Sequence, residues 1–222
     1  MRCAIVSGSV TCVAMVVVLA VATGMARQTP VAADFDRLFV DKTMRLDYFH
    51  SGGLGTETIA LDQIVSDGSW AGSRTRLVDD LNLGKYLFDV IDRQTNRVIY
   101  SRGFASIYGE WETTPESREV YRTFHESLRF PWPQRPVQVV LKVRDRESSF
   151  RQIWSTVVDP NSRFVNPADR EPAGDVWPII ESGAPTEKVD LLVIGEGYTE
   201  AELPKFHADA RRLVEALFEE EP

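Results

Sequence analysis

The last thirty-four residues constrain this chain most. Val189-Asp190-Leu191-Leu192-Val193-Ile194 reads as a buried strand, Gly195-Glu196-Gly197-Tyr198 as a tight turn, and Thr199 to about Phe218 as an amphipathic helix. Thr199 and Glu202 have the spacing of a capping box, which satisfies backbone donors at a helix start. Leu203, Phe206, Ala210, Leu213, Val214 and Leu217 recur at three and four, so one face of that helix is apolar. Glu219-Glu220-Glu221 would oppose the negative end of the helix, which sets its stop near Phe218. One strand and one helix cannot bury a core between them. The sequence therefore reads as a complete front domain joined to the first unit of an incomplete α/β domain.

The front part, from Asp34 to about Pro160, is mostly β in pattern. Met44 to His50 and Thr56 to Val65 alternate apolar and polar around Ser51-Gly52-Gly53, which predicts a hairpin. Tyr86 to Ile91 and Arg97 to Tyr100 flank Asp92 to Asn96 as a second hairpin. Val137 to Val143 and Ile153 to Val158 form a third pair around Arg144 to Ser149. Trp70 to Asn82 reads as a loop. Thr114-Pro115-Glu116 can cap a short helical turn, followed by a strand ending at Phe130-Pro131. Seven or so short strands with regular turns predict an antiparallel β-sandwich over 34–160. Asp159 to Thr186 is rich in Pro, Asn, Asp, Gly and Ser. It reads as a linker, placed at 161–188, with Trp177-Pro178-Ile179-Ile180 as a segment able to dock on a surface.

Residues 1–26 have the layout of a secretory signal. Arg2 is the positive end, Val10 to Val21 the apolar run, and Gly24-Met25-Ala26 the small-x-small cleavage pattern. The uncharged stretch from Cys3 to Ala26 is also long enough to span a bilayer. The small residues after the apolar core favour cleavage. Cys12 is not preceded by a lipobox. Both cysteines lie in this segment, so a mature chain would contain neither a disulfide nor a thiolate site. The whole chain has 25 basic and 33 acidic residues, and without Arg2 the balance is 24 against 33. A net charge of −9 argues against a nucleic-acid partner, which requires a basic face. Export without cysteines points to a secreted or periplasmic bacterial protein that does not stay on the membrane after cleavage.

Few residues carry chemistry. A metal site needs several His, Cys, Asp or Glu converging on one point. The chain has three histidines, His50, His125 and His207, and no two stand at helical i, i+4 spacing. His50 falls at a strand end and His207 beside the apolar helix face. All three read as surface or partly buried structural residues. No H-E-x-x-H, G-x-S-x-G or P-loop pattern occurs. Gly195-Glu196-Gly197 follows a strand and precedes a helix, but Glu200 at the helix start would repel a pyrophosphate. The pattern therefore reads as a plain turn. Trp70, Trp111, Trp132, Trp154 and Trp177 could form a sugar-stacking face, although core packing is the better account of Trp111 and Trp132. The residues themselves thus single out no catalytic, cofactor-binding or metal-binding residue.

Two stretches resemble a known family. One runs from Tyr100-Ser101-Arg102-Gly103-Phe104 through Tyr108-Gly109-Glu110-Trp111-Glu112-Thr113-Thr114-Pro115-Glu116 to Phe124-His125-Glu126-Ser127-Leu128-Arg129-Phe130-Pro131-Trp132-Pro133. The other is Val189 to Thr199 with Phe206 and Leu217 to Pro222. Both resemble the IgA peptidase family of secreted zinc metallopeptidases, over most of residues 36–222. The first is similar to the family's N-terminal β domain, the second to the opening of its catalytic domain. Glu196 stands where the family would have Asp, which keeps the charge but lengthens the arm. The resemblance implies a downstream H-E-x-x-H that holds zinc and activates a water, and a protein or peptide substrate. Residues 189–222 would then be the truncated start of the catalytic domain. The alternative is a stand-alone exported β-sandwich for adhesion or surface-glycan binding, with the terminal helix packed back on the sandwich.

Overall fold

A computed structural model describes residues 35–169 and 174–219. The expected signal at 1–26 lies outside the described residues. The elements run α1 (Phe35–Leu38), β1 (Phe39–Gly53), β2 (Thr56–Ser66), β3 (Tyr86–Asp92), β4 (Arg97–Phe104), α2 (Ile107–Trp111), a 3-10 turn (Pro115–Arg118), β5 (Arg122–Pro133), β6 (Val137–Arg144), β7 (Phe150–Val158), β8 (Val165–Asn166), a second 3-10 turn (Glu200–Glu202) and α3 (Leu203–Glu219). The three hairpins and the turn-then-strand at 115–133 stand as expected. The first hairpin turns later than its sequence suggests. β1 runs on through Gly53, so Leu54 and Gly55 make the turn.

The strands form two four-stranded sheets, β5-β1-β2-β8 and β4-β3-β6-β7. Their ladders are antiparallel except β2 with β8, which is parallel and only two residues long. Period-two alternation decides the packing. Met44, Leu46 and Tyr48 of β1 face inward opposite Phe130, Leu128 and Glu126 of β5. Phe88 and Val90 of β3 pair with Leu141 and Val139 of β6 in the other sheet. These apolar side chains make one core, and the Phe88 and Phe130 rings meet across the two sheets at 6.2 Å. A bulge between Asp47 and Tyr48 resets the phase of β2, so that Ile64, Ile59 and Glu57 pair with the inward residues Leu46, His50 and Gly52.

The segment 189–194 is not a paired strand, contrary to its pattern. A strand exists through its neighbours' backbone groups, and among the described residues none pairs with it. Val189 is 96% and Ile194 80% exposed. The helix that follows is as expected, capped by Thr199 and Glu202 in a reciprocal box. Its apolar stripe is only partly covered: Ala210 and Val214 are buried, whereas Leu203, Leu213 and Leu217 are exposed. Among the described residues no helix is long and apolar enough to cross a membrane.

Candidate functional site

At one end of the sandwich the inward positions turn from apolar to polar. Continuing the alternation of β1 past Tyr48 gives His50, then Gly52. Glu126 of β5 sits opposite Tyr48, Glu57 of β2 opposite Gly52, and Tyr86 begins β3. His50 is 1% exposed, so the expected surface or partly buried histidine is fully buried. It was misplaced because its strand does not end there.

A carboxylate faces each ring nitrogen. His50 Nδ1 lies 3.1 Å from Glu126 Oε2, and Nε2 lies 3.1 Å from Glu57 Oε2. The Tyr48 hydroxyl donates to Glu126 Oε2 at 2.9 Å and the Tyr86 hydroxyl to Glu57 Oε2 at 3.1 Å. Tyr108 stacks on the imidazole at 3.8 Å and 17°, and Tyr86 meets its edge. Burial opposes the imidazolium, but the hydrogen bonds and charges of Glu126 and Glu57 outweigh it and hold His50 above its usual pKa. Burial likewise pushes both carboxyls up, yet the bonds from His50 and their other donors leave Glu57 and Glu126 below the ordinary range. Burial and the neighbouring carboxylates push the Tyr48 and Tyr86 hydroxyls well above theirs.

Residues 106–118 close this end. Ser106 caps α2 by accepting from the Gly109 N–H at 3.0 Å, and the Tyr108 N–H donates to Glu126 Oε1 at 3.0 Å. The Tyr108 hydroxyl reaches the carbonyls of Gly53 and Thr56 at 3.0 and 2.8 Å. Only glycine fits at 52, because a Cβ there would lie 1.9 Å from the Thr56 carbonyl oxygen and 2.6 Å from Tyr108 Oη. Past α2, Glu112 accepts from the Gly55 N–H and pairs with Lys85. Trp111 Nε1 donates to Glu116 at 2.8 Å, and the Leu54 N–H donates to the Ser117 carbonyl at 2.8 Å. Glu112 and Ser117 thus tie the turn between β1 and β2 to this closing block.

The family described as Peptidase M64 N-terminus matches residues 34–155, and that described as IgA Peptidase M64 matches residues 177–222. The chain belongs to the M64 peptidase family. No curated protein matches it. The first M64 match covers β1 to β6, the closing block and the first part of β7. The second begins at Trp177, and the structure gives that start a physical basis. Trp177 stacks on His207 at 4.3 Å and lies under the Arg211 guanidinium, two residues one turn apart on α3. Of the segment 177–180, Trp177 docks on α3 while Ile180 is exposed, and the stack accounts for His207 as a packing residue.

M64 proteins are metallopeptidases, and a metal site needs several His, Cys, Asp or Glu side chains converging on one point. Asp47, Asp62 and His125 bring one ligand atom each within 4.8 Å of one another. The Asp47 carboxylate is already taken, by Arg45 on both oxygens at 2.9 and 3.0 Å and by Gln63 at 2.9 Å. Asp62 is hydrogen-bonded to His125 at 3.1 Å. A guanidinium on one candidate ligand opposes a dication, and this set does not fit a catalytic zinc. Trp70, Trp111 and Trp132 are buried, so these three offer no stacking face. Glu57 and Glu126, the partners of His50, were missed among so many acids. The one signal available was their phase on the inward side of apolar strands.

Proposed function

We propose that this chain supplies the N-terminal β domain and the opening of the catalytic domain of a secreted zinc metallopeptidase that cleaves protein or peptide substrates. The β domain takes residues 34–160, 161–188 connect it, and 189–222 open the catalytic domain, with Trp177 pinning the connection to α3. The observation that carries this reading is the unpaired apolar segment 189–194. It precedes a helix whose Leu203, Leu213 and Leu217 are exposed, inside the stretch that matches IgA Peptidase M64. Apolar surface of this extent calls for a sheet to cover it. In this reading the H-E-x-x-H that binds zinc and activates water comes from residues beyond these 222. The β domain has a zinc-free accessory role, and the segment 1–26 directs export and is removed. No nucleic acid and no membrane takes part afterwards.

The test is a peptidase assay of the purified 222-residue chain on an unfolded protein, with added zinc and with a chelator. The expected result is no chelator-sensitive cleavage. Zinc-dependent hydrolysis by this chain alone would contradict the proposal.

A further inference from the structure

With both carboxyls ionised, as the donors around them favour, the hydrogen-bond stoichiometry of the buried cluster sets the charge of His50. Ionised carboxylates only accept. Glu126 Oε2 already accepts from Tyr48, Glu126 Oε1 from the Tyr108 N–H, and Glu57 Oε2 from Tyr86. For His50 to bond to both carboxylates, both ring nitrogens must donate, which only an imidazolium can do. A neutral ring would leave one lone pair facing a carboxylate oxygen at 3.1 Å, whichever tautomer formed. Flipping the ring gives no relief, because a carboxylate waits on both sides. The Tyr108 ring stacked on the imidazole adds a cation–π preference for the charged form.

The two carboxylates are not equally free to move. The Glu126 side chain is 7% exposed and held by three donors; that of Glu57 is 17% exposed and held by two. Glu57 also adjoins Thr56, whose carbonyl receives the Tyr108 hydroxyl. When the proton leaves His50, the strain is relieved most readily by Glu57 swinging toward solvent. The imidazole then loses its charge beneath the stacked ring of Tyr108, whose backbone N–H is held by Glu126, the other partner of the same histidine.

We propose that protonated His50 is a latch that fastens residues 106–118 over the end of the sandwich, and that loss of its proton releases them. The charged or titratable groups facing it are Tyr48 on β1, Glu57 on β2, Tyr86 at the start of β3, Glu126 on β5 and Tyr108 in α2, and the Lys85–Glu112 ion pair acts on Glu57 and Tyr108 from just outside them. Tyr48, Tyr86 and Tyr108 are pushed up and stay protonated while His50 titrates. The release thus runs upward in pH: the segment is closed where His50 is protonated and Glu57 and Glu126 are ionised, and it opens toward alkali.

The test is a pH titration of the unmodified 222-residue chain by NMR. A long-range proton–nitrogen spectrum reads the imidazole of His50, with His125 and His207 as internal references. Amide exchange at Tyr108, Gly109 and Glu110, corrected for intrinsic base catalysis, reads the segment. The expected result is that both His50 ring nitrogens are protonated at neutral pH. Protection at the three amides then falls at least tenfold with the same midpoint as the ring, while Val139 in β6 stays protected. The variant Glu57→Gln removes one partner and shifts both midpoints down together. A singly protonated His50 ring at neutral pH, or protection that does not change as the ring titrates, would overturn the latch.

Discussion

Glu126 is the residue whose removal tests the polar end of the sandwich most severely. Its side chain is 7% exposed and accepts from Tyr48, His50 and the Tyr108 N–H. Glu126→Ala strands a buried cation with one counter-charge and leaves two donors without a partner. Breaking a buried ion pair from one side costs about 3–5 kcal/mol. An orphaned buried donor costs about 1–3 kcal/mol, counted partly on the same atoms. A total of about 4 kcal/mol is a large part of the ~5–15 kcal/mol that holds a domain folded. Glu126→Gln keeps the volume and one acceptor oxygen but turns its amide donors on His50, for a loss of about 2 kcal/mol. The assay is urea unfolding at pH 6, followed by tryptophan fluorescence. With a slope of about 2 kcal/mol per molar, the alanine midpoint falls by about 2 M and the glutamine midpoint by about 1 M. An alanine variant within about 1 kcal/mol of wild type, the size of an ordinary substitution, would refute the reasoning.

Three further outcomes follow from the same coordinates. Gly52→Ala places a Cβ against backbone that cannot yield cheaply, and should cost about 3 kcal/mol in the same urea assay. Phe130→Ala empties the centre of the core beside Phe88 and should cost about 3–5 kcal/mol. Stability should also pass through a maximum in pH. His50 binds its proton more tightly when folded, so its contribution is whole below about 6.5 and is lost as pH rises through the folded value. Glu57 and Glu126 ionise more readily when folded, so theirs is whole above about 4.5 and is lost as pH falls. The urea midpoint at pH 5.5 should exceed those at pH 3 and pH 9.

The first and third hairpins were legible because alternation over seven or more residues marks one buried face, as in Met44–His50 and Val137–Arg144. Helix α2 was not legible. Ile107-Tyr108-Gly109-Glu110-Trp111 has a central glycine and poor propensity, and it holds through a distant acceptor, Glu126, and the Ser106 cap. β8 has two residues and no local signature. Val189–Ile194 shows the opposite failure: its pattern is that of a strand, but pairing is a property of two segments. His50 was hidden because a polar residue in an inward slot reads as the end of a strand, whereas here the strand continues and its partners are charged.

The central claim is that residues 189–222 open a catalytic domain whose zinc site lies downstream. The most direct measurement is the gene sequence past the codon for Pro222. The account predicts an open frame that encodes an H-E-x-x-H. A stop codon directly after Pro222, or a downstream frame without that motif, would contradict it.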